Sequence, residues 1–135
     1  MIVCLDANCV IYFVEADAIW GPKITSRLAS LRTAGHEIAI SDLCRTECLA
    51  APLAAGDAAI IADYQTFFAS PTVRVLPLSA AVCERAARIR AASSFRLKVP
   101  DCLHLAAAAE HSCGIFLTND RRLTLCTEIL VEILS

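Results

Sequence analysis

The sequence predicts an α/β fold in which a mostly parallel sheet is covered by helices on both faces. Three observations carry that expectation. Short runs rich in apolar residues at 2–5, 37–40, 73–76 and 115–117 lack the strict alternation of half-exposed strands, which fits strands buried on both sides. Longer segments of helical periodicity lie between them. No repeat, low-complexity tract or long linker divides the 135 residues, so one domain over 1–135 is expected.

Taken in order, Ile2-Val-Cys-Leu5 is a buried strand that ends in Asp6, and Val10 to Val14 forms a short helix. Pro22 to Ala34 places Ile24, Leu28 and Leu31 on one helical face, and Gly35 is a C-terminal stop. Glu37-Ile-Ala-Ile40 is the second strand. Ser41 is expected to cap the next helix, with Asp42 in its first turn and an end near Ala51, before Pro52. Asp57 to Ala69 is helical and closes at Ser70-Pro71, and Val73-Arg-Val-Leu76 is the third strand. Ser79 opens a helix to about Ala92 with Val82, Ala86 and Ile89 at helical spacing. After a polar, basic connection, Val99 to Glu110 is a helix that begins Val-Pro-Asp. Ile115-Phe-Leu117 is a strand leading into Thr118-Asn-Asp120, and Ile129 to Ile133 is a last apolar run.

Hydrophobic residues make up 57% of the chain, yet no apolar run reaches the roughly 18 residues that a membrane span needs. The first residues carry neither a basic start nor a cleavage site, so the expected location is the cytoplasm. Eight cysteines without a Cys-x-x-Cys pair read as buried reduced thiols. Cys44 and Cys48 share a helix face and could join His36, His104 or His111 at zinc, but four convergent ligands are not evident. A formal charge of −2 argues against coating nucleic acid by charge alone. Setting aside Asp6, Glu47, Asp101 and Asp120 as ligands turns 12 bases against 14 acids into 12 against 10, a formal +2.

Those four acids are the candidate site. Asp6 and Asp120 follow apolar strands, and Asp101 opens a helix. Any one of them alone reads as a cap or turn residue. Glu47 falls on an apolar helical stripe beside Cys44, between Leu43 and Ala51, where a carboxylate is costly unless paired or metal-bound. Two carboxylates about 4 Å apart repel by about 4 kcal/mol at an effective dielectric near 20. Protonation or a divalent cation must relieve this, and oxygen-only ligands favour Mg2+ or Mn2+. Such a site suits hydrolysis of a phosphodiester by metal-activated water. Asn8, Thr118 and Asn119 are placed to support the acids, and His104, one turn beyond Asp101, reads as a packing or supporting residue. Arg85, Arg88, Arg90, Arg96, Lys98, Arg121 and Arg122 flank the acids in sequence; Arg96, Lys98 and Arg121 are the preferred phosphate contacts.

Leu5-Asp-Ala-Asn8, Glu47 on the third helix, Pro100-Asp-Cys-Leu-His-Leu-Ala106 and Leu117-Thr-Asn-Asp-Arg-Arg-Leu123 together resemble the PIN domain, and in length and order its VapC-like toxins of type II toxin–antitoxin pairs. The resemblance covers essentially the whole chain. It implies a three-layer α/β/α sandwich and a Mg2+- or Mn2+-dependent endoribonuclease with Asp6, Glu47, Asp101 and Asp120 as its acidic quartet. It also implies a homodimer, an RNA substrate and a cognate antitoxin whose tail enters the active-site groove. Two other readings compete. One is a PIN-like module that binds RNA or protein without cleaving it. The other is a phosphatase with an aspartate nucleophile, which wants a second acid two residues after Asp6, where this chain has Asn8.

Overall fold

The computed structural model describes all residues from Met1 to Ser135. The chain runs β1 (Ile2–Leu5), α1 (Ala7–Val14), α2 (Trp20–Thr33), β2 (Glu37–Ser41), α3 (Leu43–Ala55), α4 (Ala58–Phe68), β3 (Val73–Leu76), α5 (Ala80–Ala92), α6 (Val99–Glu110), β4 (Ile115–Thr118) and β5 (Leu130–Ile133). A 3-10 turn over Arg121–Leu125 separates the last two strands. The strands form one sheet in the order β3-β2-β1-β4-β5, and every neighbouring pair is parallel.

The pleat sorts the apolar residues between two cores. Val3, Leu5, Ile38, Ile40, Ile115 and Leu117 face α1 to α4. Their neighbours Cys4, Ala39 and Phe116 face α5 and α6. The result is three layers, helix–sheet–helix. Both sides of β1 and β4 are buried, which is why these strands read as unbroken apolar runs.

Sheet order also fixes where a site can form. From β1 the chain builds outward through β2 and β3, then crosses back to lay β4 against the other side of β1. Such a reversal opens a crevice at the carboxyl ends of the two central strands. Asp6 follows β1 and Asp120 follows β4, so both lie at that crevice.

Most predicted elements are found, and three differ. The first helix begins at Ala7 rather than Val10, because the Asp6 carboxylate caps it by accepting from the Ala7 N–H at 2.8 Å. Ser41 is not a helix cap. It is the buried last residue of β2, and α3 follows Asp42 without a side-chain cap. Nor does Pro52 end α3, which continues to Ala55 and stops at Gly56 with φ +66°. The ring is buried, and that burial offsets the backbone bond that proline cannot make. The stop at Gly35 is as expected: with φ +84° there, Gly35 N–H reaches Arg32 O and His36 N–H reaches Leu31 O.

Candidate active site

Asp6 is nearly buried at the end of β1, held at both oxygens. One accepts from Ala7 N–H, and the other accepts from the Thr118 hydroxyl at 2.7 Å. The Asp6 N–H also donates to Leu117 O at 2.9 Å, so the turn after β1 is tied to β4. Burial pushes the Asp6 carboxyl above the usual range; the two hydrogen bonds and His104 oppose this, and Glu47 adds to it.

Thr118 links the two strand ends. Its fully buried hydroxyl donates to Asp6 and accepts the Asp120 N–H at 3.0 Å. A Thr118→Val exchange keeps the shape but orphans both partners. It should cost about 1–3 kcal/mol in urea unfolding, the penalty for unsatisfied buried polar groups.

Asp101 lies in the first turn of α6, behind Pro100. Burial raises its carboxyl first, then the charges of Asp6 and Asp120; Arg122 and His104 act the other way. Asp120 is held low by Arg122, which grips it with Nε at 3.1 Å and Nη2 at 2.6 Å while the Arg122 N–H caps the same carboxylate at 3.0 Å. Lys98 also favours the ionised form of Asp120.

Glu47 sits at the rim of the α3 stripe rather than within it; Cys44, Cys48 and Pro52 are the residues α3 buries. Its partner is His104. The His104 ring is buried, with Nδ1 2.6 Å from Ser41 Oγ and Nε2 hydrogen-bonded to Glu47 Oε1. His104 thus lies between Ser41 and Glu47, bonded to both.

Mutual repulsion connects all four acids: Asp6 with Glu47, Asp6 with Asp101, and Asp101 with Asp120. Their side chains do not close into a set of three around one point. Asp120 is turned to Arg122, and Glu47 to His104. The donor set nonetheless fits a hard divalent cation, since it is oxygen-only and two of its members, Asp6 and Asp101, have carboxyls raised first by burial and then by neighbouring acids, a repulsion that a cation would relieve.

The other sequence-predicted residues divide. Asn8 is exposed on the first turn of α1 and makes no hydrogen bond to any of the acids. Asn119 donates to the Tyr12 hydroxyl at 3.0 Å, bracing the loop before Asp120. Arg121 is exposed and free of the acids. Arg96 is exposed with its Nε on Ser93 O at 3.1 Å. Arg85 and Arg90 are structural: Arg85 bridges Glu110 and Glu128, and Arg90 binds Leu97 O at 2.6 Å. Arg122 was underrated beside Arg121. Its place in an Asp-x-Arg step at a turn was the available signal. All eight cysteines are free thiols, seven of them buried, and burial pushes Cys48 up to about 12.

The same three-layer fold occurs in solved structures. One is a VapBC2 complex from Rickettsia felis bound to a DNA fragment from its promoter, at TM-score 0.82 and 16% identity with both chains fully covered. Another is a DNA-bound VapBC from Salmonella typhimurium, at TM-score 0.79 and 17% identity over 100% of this chain and 99% of that one. VapBC-1 from nontypeable Haemophilus influenzae matches at 0.72 and 16% identity over 98% of each. No curated protein sequence matches the chain. The PIN domain family model matches residues 3–126, so the chain belongs to the PIN domain family.

Proposed function

We propose that residues 1–135 act as one domain, a VapC-like endoribonuclease toxin that depends on Mg2+ or Mn2+ and is neutralised by a cognate antitoxin. The observation that best supports this reading is the placement of Asp6 and Asp120 at the carboxyl ends of β1 and β4, with Asp101 in charge contact with both and Glu47 in charge contact with Asp6. Membership of the PIN family and the likeness to VapBC complexes support the toxin assignment.

In this reading the four carboxylates hold the cation. Once bound, it supplies a water of lowered pKa and offsets charge on the leaving oxygen. Thr118 keeps Asp6 fixed, and His104 does the same for Glu47. Arg122 and Lys98 set positive charge beside Asp120, where an RNA phosphate would arrive, with Arg96 and Arg121 exposed near it in sequence. The purified chain should cleave single-stranded or looped RNA with Mg2+ or Mn2+ and lose that activity in EDTA. Cleavage that survives chelation would falsify the mechanism. Binding of RNA without cleavage under any metal would favour the non-cleaving module. Saturating Mn2+ should also stabilise the fold: at 100 times the dissociation constant the gain is about 2.7 kcal/mol. A melting temperature indifferent to Mn2+ would argue against the site.

The expected homodimer has a suitable face. A groove between α5 and α6 is lined by Cys83, Ala87, Val99, Cys102, Leu103 and one charged residue, Arg90, whose guanidinium lies over the ring of Phe95, itself 69% exposed. A second copy would bury this apolar surface. Light scattering should give twice the 14.5 kDa chain mass for the wild type and the single mass for Val99→Asp. A dimer that survives this change would rule the face out.

A further inference from the structure

Two of the four acids are positioned by the backbone. Asp6 and Asp120 are short, and each accepts a neighbouring main-chain N–H. Asp101, also short, stands half-buried in the first turn of α6. Glu47 has neither advantage. Its side chain is long, 35% exposed and beside solvent, so it loses about 1.5–2 kcal/mol of rotamer freedom when held in one place. The only side chain that fixes it is His104. That ring is fixed in turn by Ser41, fully buried at the end of β2. The three residues come from β2, α6 and α3, with 63 positions between Ser41 and His104 and 57 between His104 and Glu47. An ionised carboxylate only accepts hydrogen bonds, so His104 Nε2–H is the donor. A buried serine and a buried histidine, each spending its polar atoms on the next member of one line, serve no packing need that an apolar pair could not meet.

We propose that Ser41 and His104 are positioning residues whose task is to hold the Glu47 carboxylate at the edge of the acidic crevice, one oxygen on His104 and the other free for the cation, so that the fourth ligand arm of the site is preorganised. The inference rests on the carboxylate site proposed above. Outer-shell partners of this kind matter because they fix a ligand before the ion arrives.

The test is Mn2+ affinity of the purified full chain by calorimetric titration, with a melting curve for every variant. His104→Leu should weaken Mn2+ binding about tenfold or more, the usual effect of losing an outer-shell partner. His104→Gln, whose amide donates from nearly the same place, should stay within about threefold, and Ser41→Ala should fall between them. Glu47→Ala should absorb the effect: adding His104→Leu to it should weaken binding no further. Equal losses with and without Glu47, or wild-type affinity in His104→Leu, would overturn the proposal. Should His104→Leu not fold, His104→Gln and Ser41→Ala carry the same comparison. A wild-type chain that binds no Mn2+ sinks the carboxylate-site reading by itself. The line is then decided in the metal-free protein by nuclear magnetic resonance. A slowly exchanging His104 Nε2–H signal that moves in Glu47→Ala upholds it, and the absence of that signal overturns it.

Discussion

Asp101→Asn should lower metal-dependent RNA cleavage by at least about a hundredfold while leaving the protein folded. A lost ligand should cost no less than a lost outer-shell partner, for which 10–100-fold is usual. Asp101 separates chemistry from folding better than its neighbours do. Replacing Asp6 would disturb the Ala7 and Thr118 bonds, and replacing Asp120 would release Arg122. Asp101 carries a carboxyl raised by burial and by the charges of Asp6 and Asp120. Removing its charge relieves that repulsion, so the metal-free variant should melt at or above the wild-type temperature. Full cleavage by Asp101→Asn would refute the assigned role. A large fall in melting temperature would show instead that Asp101 is structural.

The largest expected loss of stability comes from the other side of β4. Phe116 is fully buried and points from the sheet into the core beneath α5 and α6. Phe116→Ala should destabilise the protein by about 3–5 kcal/mol in urea unfolding. Leu125→Ala, at a partly exposed position, should change stability by well under about 1 kcal/mol. A loss at Phe116 no greater than that at Leu125 would contradict the placement of β4 in the centre of the sheet.

What could be read from the sequence follows from what kind of contact each feature needs. The strands at Ile2 and Ile115 were legible because burial on both faces leaves a local apolar run, and the edge strand at Val73 because apolar residues flank its one exposed side chain, Arg74. The helices capped by Asp57 and Ser79 were legible because the cap and its N–H lie three residues apart. Asp6, Asp101 and Asp120 were legible because each sits at an element end. Ser41, by contrast, looked like a cap since serine before a helix usually is one. Its real partner lies 63 residues away, a distance no local pattern encodes. Glu47 was placed on the right helix but given too deep a setting, because periodicity tells which side of α3 is apolar and not how far the edge of that side is covered. Arg85 and Arg90 were counted among possible phosphate contacts for their place in sequence, yet their heads are held by Glu110, Glu128 and Leu97.

The bond from Thr118 to Asp6 spans 112 residues. No shorter stretch of chain holds both carboxylates of the crevice, since β4 reaches its place beside β1 only after β2, β3 and the intervening helices have been made. On a ribosome this gives the molecule a delay. A growing chain can bury β1 against β2 early, but the acids stay unassembled until residues up to Asp120 have left the exit tunnel. At about 5–20 residues per second, that is several seconds of synthesis during which the crevice between β1 and β4, and any chemistry proposed for it, is absent from the growing chain.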